Sequence, residues 1–317
     1  MKAAPLMQEF AAMFWNDLTC AFSLNQWRNC LQKLSKVNRR VLFSNLVAII
    51  PQIAVFYALL SPAVASPLYN KILFYPSKEH AFSVESLAGT AKENIFIASG
   101  GEKLNAWLFD KTGAKGTVLI SHGNAGNISH RIPIIEYFLS QNFSVLAYDY
   151  QGYGLSTGEP GIDKICQDGL AAYDYLSKER KIPSEKIVLF GESLGGGVSA
   201  HIAGNREAAA IVLQSTFSSL PHVARSKMLL MRAYPNFLFP KNKMDSAYIL
   251  AGAHPPLLII HGTGDGIIPC KESKLIYEKA AEPKKLLLIE GGGHNDLFYE
   301  YKDETLKGLS EFLKNGF

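Results

Sequence analysis

Cysteine is scarce in this sequence, and the few cysteines fall in no metal-binding or disulfide pattern. The chain has 4 cysteines, and no two of them have a CxxC spacing. Disulfide scaffolds and structural zinc sites are both marked by closely spaced cysteines. The sequence therefore predicts neither a disulfide framework nor a zinc site.

A concentrated basic surface is also missing. The formal net charge is +4 at pH 7, and the excess lies in residues 1–40, where six Lys or Arg residues accompany Glu9 and Asp17. Basic and acidic residues balance over 71–317. Because nucleic acid binding needs many basic groups on one face of a protein, we expect no nucleic acid partner.

Charge is absent altogether from residues 41–70. The run 41–65 exceeds the roughly 20 apolar residues that a membrane-spanning helix needs, and such a helix tolerates Pro51. The basic residues Lys33, Lys36, Arg39 and Arg40 come just before it. The sequence therefore predicts a single-pass anchor over 41–65, with a cytoplasmic N-terminus and the remaining body on the opposite side. The leader, residues 1–40, receives no structural assignment.

Two alternatives to a retained anchor stay open. The small residues Ala63-Val64-Ala65 resemble a signal-peptide cleavage site, which would give a secreted or periplasmic protein. The same run would also suit a buried helix of a soluble protein. The leader of 40 residues before the run is much longer than an ordinary signal n-region, which favours the anchor.

Residues 71–317 are predicted to form one α/β domain, since apolar residues make up 48% of the chain and β-rich and helical stretches alternate. The later strands are nearly continuous runs of Val, Ile and Leu, which indicates a mostly parallel sheet flanked by helices. The first three strands lack intervening helices, which suits an antiparallel edge. The predicted strands are Ile72–Tyr75, Ile95–Ala98, Leu104–Phe109, Thr117–Ser121, Val145–Tyr148, Ile187–Phe190, Ile211–Gln214, Leu257–His261 and Leu286–Ile289. The predicted helices are Ile128–Gln141, Ile162–Lys178, Leu194–Asn205, Glu272–Ala281 and Glu304–Lys314.

One segment interrupts this alternation. Residues 217–250 lie between two strands, are longer than a simple crossover, and are rich in Leu, Met, Phe and Tyr. We interpret them as a small helical insertion that forms a lid over an apolar pocket. An ordinary crossover with a long loop is the alternative.

The strongest catalytic pattern is the G-x-S-x-G sequence at Gly191–Gly195. It stands directly between a predicted strand and a predicted helix, which is the setting of a nucleophile elbow in the α/β-hydrolase fold. Such a turn exposes the hydroxyl of Ser193 above the sheet, and the helix N-terminus directs the backbone N–H of Leu194 at the same point. Ser193 is therefore the predicted nucleophile.

A serine nucleophile needs a histidine base held by a carboxylate, and this fold supplies them in the chain order serine, acid, histidine. Asp265 follows the strand 257–261, at the strand end where an active-site acid is expected. His294 follows the next strand after three glycines, which let its loop carry the imidazole back over the serine. We predict Asp265 as the acid and His294 as the base.

Other aspartates and histidines fit these roles less well. The turn after the strand 211–214 has no carboxylate, and Asp149 is interpreted as a turn residue. Asp296 is expected to shape the loop of His294. His122 and His261 each precede a glycine at a strand end, and we expect them to hydrogen-bond loops.

A tetrahedral oxyanion needs two donors. The second should come from the loop after the strand 117–121, which begins with His122-Gly123-Asn124. We assign it to the backbone N–H of Asn124, which would complete an oxyanion hole with Leu194. The glycine-rich loop is a poor phosphate site, because no Lys follows in P-loop register.

Six short segments together resemble one group of known proteins, although each alone is common. The matching segments are Phe74–Ser77, His122–Asn127, Asp149–Gly154, Gly191–Gly196, His261–Asp265 and Gly293–Asp296. Across about residues 70–300 the chain resembles a membrane-anchored branch of the α/β-hydrolase superfamily. That branch includes the α/β-hydrolase domain-containing proteins thirteen and seventeen and their bacterial relatives. The chain departs from this branch at Gly266-Ile267-Ile268, where the branch often has a second acidic residue after the catalytic one.

The resemblance implies a hydrolase that uses no metal and no organic cofactor. The expected substrate is a small-molecule or lipid-like carboxylic ester or thioester, with acyl lipids and acylated proteins as candidates. The expected partners are this substrate and the membrane. The alternatives are a serine aminopeptidase-like peptidase, since a related group is so described, and a catalytically silent binding module.

Overall fold

The computed structural model describes residues 39–241 and 244–315. The chain divides into two compact units, residues 1–64 and 65–317. Helix α1, Arg39–Leu59, is the main described element of the first unit. The predicted leader, apart from its last two residues, lies outside the described residues.

The prediction of a membrane anchor over residues 41–65 is wrong. Among residues 39–241 and 244–315, no helix has the length and apolar character needed to cross a bilayer. The uncharged run is not one helix, because α1 ends at Leu59 and the chain turns, with the N–H of Ser61 bonded to Ala58 O and that of Val64 to Ser61 O. Pro51 and Gln52 also interrupt the apolar sequence of α1. The single-pass topology and the location derived from the anchor are overturned with it.

The predicted strand Ile72–Tyr75 is also wrong. A second helix, α2, occupies Ser66–Leu73, and its proline in the first turn suits a helix start. Strand β1 is limited to Tyr75–Pro76 and pairs in parallel with β7, Ala125–Gly126, in the predicted oxyanion loop. The segment before the main sheet is therefore hydrogen-bonded to that loop.

The main sheet has eight strands in the order β12-β11-β10-β9-β6-β8-β5-β4. The six strands from β12 to β8 are parallel, while β5 pairs antiparallel with β8 and β4 with β5 at the edge. A separate small hairpin joins β2, Ser86–Leu87, to β3, Thr90–Ala91. The strands of the main sheet are β4 Glu93–Ser99, β5 Glu102–Phe109, β6 Thr117–Ser121, β8 Ser144–Tyr148, β9 Ile187–Glu192, β10 Ala210–Gln214, β11 Leu257–Gly262 and β12 Lys284–Ile289.

The central strands are buried along their whole length, as expected for a parallel sheet covered on both faces. Two clusters of buried apolar side chains form the core, one containing Leu119 and Leu189 and the other Ile120 and Phe190. Neighbours along a strand point to opposite faces, so these clusters lie on the two sides of the sheet. The remaining helices are α3 Ile132–Ser140, α4 Ile162–Asp174, α5 Leu194–Ala203, α6 Leu220–Lys227, α7 Ser246–Ile249, α8 Lys271–Lys279 and α9 Lys302–Asn315.

The segment 217–250 contains α6, two 3-10 turns at Leu229–Ala233 and Asn236–Leu238, and α7. Residues 242 and 243 lie outside the described residues. Phe217 and Met244 approach Gly197 of α5, where an added Cβ would lie 3.2 Å and 2.7 Å from their side chains. The segment thus packs on the helix that begins directly after Ser193.

Parallel strands bring their carboxyl ends to one edge of the sheet, where α/β proteins place their sites. Six parallel strands end at this edge, and four of the loops that follow them are those after β6, β9, β11 and β12. These four loops carry Asn124, Ser193, Asp265 and His294 respectively. All four predicted site residues therefore lie at the same edge.

Candidate active site

Ser193 occupies a sharp turn between β9 and α5, with φ of 53° and ψ of −115°. A non-glycine residue in this region is strained by about 1–3 kcal/mol, so the surroundings must hold it. The Ser193 N–H donates to Gln214 O at 2.8 Å, and the hydroxyl of Thr216 donates to Ser193 O at 2.7 Å. Gly195 is required next to this turn, because a Cβ there would lie 1.9 Å from Ser121 O.

His294 connects the serine to the acid. Its Nε2 lies 3.0 Å from Ser193 Oγ, and its Nδ1 lies 2.6 Å from Asp265 Oδ2. Because a carboxylate accepts, Nδ1 carries a proton, and Nε2 is then free to accept the proton of the serine hydroxyl. The side chain of His294 is only 9% exposed, so this contact is sheltered from bulk water.

Asp265 accepts further hydrogen bonds that fix its carboxylate. Its Oδ1 accepts from the backbone N–H groups of Ile267 and Ile268, at 2.8 and 2.7 Å. Burial raises the pKa of Asp265, but the interactions with His261 and His294 and the Ile268 N–H outweigh it and hold the pKa well below its ordinary value.

His261 is the second histidine at this carboxylate, and it is fully buried. Its Nε2 lies 2.8 Å from Ile268 O and 3.1 Å from Asp265 Oδ2, so this nitrogen must carry the proton that both oxygens accept. Its Nδ1 lies 2.6 Å from the hydroxyl of Ser273. His261 therefore contacts the predicted acid itself and not only a loop.

The backbone N–H groups of Leu194 and Asn124 are among those around Ser193 that make no hydrogen bond with the described residues. The loop of Asn124 lies close to the start of α5, since a Cβ on Gly195 would be 1.9 Å from Ser121 O and 2.6 Å from His122 O. Leu194 is buried and Asn124 is half-buried, and a buried N–H group normally has a partner. These two N–H groups are therefore available to a developing oxyanion.

A buried ion pair lies beside the serine. Arg131 Nε is 2.8 Å from Glu192 Oε2, and the two side chains are 11% and 13% exposed. The same guanidinium donates to Ala125 O at 3.2 Å, so it also braces the loop of Asn124. Glu192 precedes the predicted nucleophile, and a cavity beside it is lined in part by Arg131, Asn295 and Phe298.

No group of three or more His, Cys, Asp or Glu side chains in the described parts of the chain could hold a metal ion.

The structure brings the three predicted catalytic side chains together: Asp265 lies within hydrogen-bonding distance of His294, and His294 within that distance of Ser193. Asp296, predicted to shape the histidine loop, accepts from the N–H of Gly293 at 2.8 Å.

The chain is similar in sequence to one protein family and to several bacterial proteins. A family model described as serine aminopeptidase, S33, matches residues 112–255. The uncharacterized protein YfhR of Escherichia coli is 32% identical over 258 residues, covering 78% of this chain and 86% of its own. The uncharacterized protein Rv2307c of Mycobacterium tuberculosis is 33% identical over 236 residues, covering 72% and 80%. The chain belongs to the α/β-hydrolase superfamily.

Solved structures with a similar fold agree with this assignment to the α/β hydrolases. The esterase Pf2001 of Pyrococcus furiosus has a TM-score of 0.64 at 21% identity and covers 77% of this chain and 98% of its own. Est1E of Butyrivibrio proteoclasticus, solved with ferulic acid, has a TM-score of 0.59 at 23% identity and covers 70% and 98%. At these identities the likeness concerns the fold.

Glu192 and Asp149 lie at the site but are not among the residues that the sequence predicts for it. The position of Glu192 inside the G-x-S-x-G sequence, directly before Ser193, is a signal for it. Asp149 was interpreted as a turn residue, yet it is fully buried and lies beside His122 and His80. In both cases the available signal is an acidic residue at the carboxyl end of a strand, for which the sequence shows no basic partner nearby.

Proposed function

We propose that this chain is a serine hydrolase that cleaves carboxylic esters or thioesters through an acyl-enzyme on Ser193. The observation that carries the proposal is the continuous contact from Asp265 through His294 to Ser193, with distances of 2.6 and 3.0 Å. This arrangement supplies an activated nucleophile, its base and the group that orients the base.

In the proposed first half-reaction, Ser193 Oγ attacks the carbonyl carbon of the substrate while its proton passes to His294 Nε2. The C–O or C–S bond to the leaving group then breaks, and the leaving group takes the proton from His294. In the second half-reaction, water loses a proton to His294 and attacks the acyl carbon, and Ser193 Oγ regains the proton as the acid product leaves. Asp265 holds the imidazole and stabilises its charged form throughout.

The negative charge on the tetrahedral oxygen would be bound by the N–H groups of Leu194 and Asn124. Both are free of partners among the described residues, so no existing hydrogen bond must be broken. The N-terminus of α5 adds favourable potential, because its partial positive charge faces the same point. One such donor is typically worth about 10²–10³ in rate.

The segment 217–250 favours a substrate with a hydrophobic acyl group, and we propose that this segment acts as a lid. Several of its apolar side chains are exposed, including Leu229 at 77% and Phe237 at 79%. It reaches the acid loop, since Lys227 Nζ donates to Gly266 O at 2.9 Å. Exposed apolar side chains on a segment that contacts the loop of Asp265 suit an acyl chain better than a charged substrate. The similarity in fold to the esterase Pf2001 agrees with an ester substrate.

Aminopeptidase activity is the rival, because the matching family model is described by that activity. It would need a free carboxylate near Ser193 to bind the substrate's α-ammonium group. Glu192 is the nearest such residue in sequence, but Arg131 already neutralises it at 2.8 Å. The ester or thioester function is therefore the better supported one.

The test measures hydrolysis of p-nitrophenyl butyrate, octanoate and palmitate, together with labelling by a fluorophosphonate probe. We expect the wild type to cleave at least one ester and to be labelled, and the Ser193→Ala variant to do neither. Ser199→Ala is the matched control, because it removes a buried hydroxyl from the same helix that makes no hydrogen bond with the described residues. It should behave as the wild type.

A folded wild type that is not labelled would contradict the serine mechanism and favour a binding module. Faster cleavage of an aminoacyl-p-nitroanilide than of any ester would contradict the substrate class and favour the peptidase.

A further inference from the structure

The loop that carries Asn124 is held by side-chain donors at three consecutive backbone carbonyls. The hydroxyl of Tyr150 donates to His122 O at 2.8 Å, and that of Tyr153 donates to Asn124 O at 2.8 Å. Between them, His122 Nδ1 lies 2.7 Å from Gly123 O, and since a carbonyl only accepts, this nitrogen is the donor. No carbonyl from His122 to Asn124 is left to solvent.

The middle contact acts on the peptide that carries the free donor. The carbonyl of Gly123 and the N–H of Asn124 belong to one planar trans peptide unit, so they point in opposite directions. Fixing Gly123 O towards His122 therefore fixes the Asn124 N–H away from it. If this peptide flipped, the Gly123 carbonyl would point away from His122, in the direction that the Asn124 N–H now takes.

The groups that hold the loop are themselves rigidly placed. His122, Tyr150 and Asp149 are fully buried, and the rings of His122 and Tyr150 lie 4.4 Å apart between centroids. The other nitrogen of His122, Nε2, faces Asp149 Oδ1 at 3.3 Å, and the same oxygen accepts from the Ile128 N–H at 2.8 Å. Asp149 thus fixes the far end of the loop through Ile128, while His122 Nε2 makes no hydrogen bond with the described residues.

The hydroxyls are permanent donors at neutral pH, because burial raises the pKa of Tyr150 and of Tyr153 well above the ordinary value. Asn124 Oδ1 lies 2.9 Å from the same Tyr153 hydroxyl, whose one hydrogen is therefore shared between the two Asn124 oxygens, and the Asn124 side-chain amide donates to Leu73 O. The loop residue is therefore held through its backbone and through its side chain.

We infer that His122, Tyr150 and Tyr153 are positioning residues for the reaction, and that they preorganise the Asn124 N–H by clamping the carbonyls of the loop 122–124. This inference rests on the proposed serine hydrolase function. It assigns a purpose to the segment Asp149–Gly154, which the catalytic steps do not otherwise use. The clamp acts on the transition state, since a carbonyl oxygen gains its negative charge only there.

The test compares Tyr150→Phe and Tyr153→Phe with the wild type in steady-state hydrolysis of the best p-nitrophenyl ester. Each variant removes one clamp while keeping the ring and its packing. Because a whole oxyanion donor is worth about 10²–10³ in rate, we expect partial misorientation to lower kcat about tenfold with KM unchanged. Affinity for an alkyl boronic acid, whose adduct on Ser193 is tetrahedral, should fall by a similar factor.

Tyr148→Phe is the matched control. Tyr148 is fully buried in the same aromatic cluster, 5.3 Å from the ring of Tyr150, but its hydroxyl contacts Ser121 Oγ at 2.8 Å and no loop carbonyl. We expect the Tyr148→Phe variant to keep kcat within twofold of the wild-type value, even if its Tm falls by as much as the Tm of the Tyr153→Phe variant.

The outcomes separate this inference from the proposed function. An inactive, unlabelled wild type contradicts the hydrolase proposal itself. An active wild type whose Tyr150 and Tyr153 variants keep full kcat and boronic acid affinity contradicts the clamp. An equal loss of kcat in Tyr148→Phe also contradicts it, because the effect would then come from general loosening of the aromatic cluster.

Discussion

Asp265 and Asp149 form two similar clusters with different surroundings. Both carboxylates are buried at the carboxyl ends of strands, and each faces two histidines, His294 and His261 in one cluster and His122 and His80 in the other. Asp265 accepts from two backbone N–H groups, whereas Asp149 accepts from one, that of Ile128. The nearest histidine nitrogen is at 2.6 Å from Asp265 and at 3.3 Å from Asp149.

The decisive difference is what the histidine meets on its other side. His294 Nε2 meets the hydroxyl of Ser193, which can give up a proton, while His122 Nδ1 meets the carbonyl of Gly123, which can only accept. Under the proposed function, the same pair of groups supplies a base in one cluster, and under the inference above it positions a loop in the other. The partner of the second nitrogen, and not the carboxylate, determines which role a buried histidine can take.

The largest expected effect comes from replacing the two acids in turn. Asp265→Asn should lower kcat by about 10³–10⁴, because an amide N–H facing His294 Nδ1 imposes the tautomer that cannot accept the serine proton. Asp149→Asn should lower kcat only about tenfold, since it disturbs a loop and not the base. Steady-state rates with one ester measure both. Equal losses in the two variants would remove the distinction between the clusters.

A second prediction concerns the glycines next to the two acids. Gly154 has φ of +46°, and a Cβ there would lie 2.0 Å from Asp149 Oδ2, so Gly154→Ala should destabilise the protein by more than about 3 kcal/mol. Gly266→Ala is the matched change beside Asp265, where a Cβ would meet nothing within 4 Å. It should change the free energy of unfolding by less than about 0.5 kcal/mol.

Urea unfolding, with midpoint and slope compared between the two variants, measures this difference. Similar midpoints for Gly154→Ala and the wild type would mean that Asp149 is not tightly enclosed.

The smallest effect concerns acid stability. The pKa values of Asp265 and Asp149 are both lowered in the folded state, where burial raises them but the histidine contacts outweigh it. Each therefore stabilises the fold above its ordinary pKa of about 3.9, and this stabilisation is lost as the pH falls below about 4. The Tm of the wild type should drop between pH 6 and pH 3, and that of Asp265→Asn should drop less. Parallel Tm curves for the two proteins would contradict this origin of the acid sensitivity.

Much of the site could be predicted from the sequence because its residues carry local signals. Ser193 lies in a pentapeptide between a strand and a helix, and Asp265 and His294 follow apolar strands in the order this fold requires. Each inference needed only the chain on either side of the residue. The parallel sheet was predictable for the same reason, since its strands are continuous apolar runs.

The clamp on the oxyanion loop could not be predicted in this way. His122 and Tyr150 meet because β6 and β8 are neighbours, with Ser121 paired to Tyr148, and strand order is not written in any one segment. The membrane prediction failed for a related reason. An uncharged run specifies neither where a helix ends nor where it turns, and here α1 ends at Leu59.

The pairing of β1 with β7 has a consequence for where the catalytic unit begins. Beyond the two paired residues, Ser77 N–H donates to Gly126 O at 3.1 Å, and the Asn127 side-chain amide donates to Glu79 O at 2.7 Å. Residues 75–79 therefore form the outer edge of the loop that carries Asn124. A shortened chain that starts at Glu93, the first residue of the main sheet, would retain all three residues of the proposed triad and lose this edge. We expect such a chain to be labelled slowly by a fluorophosphonate, so the minimal enzyme starts upstream of its own central sheet.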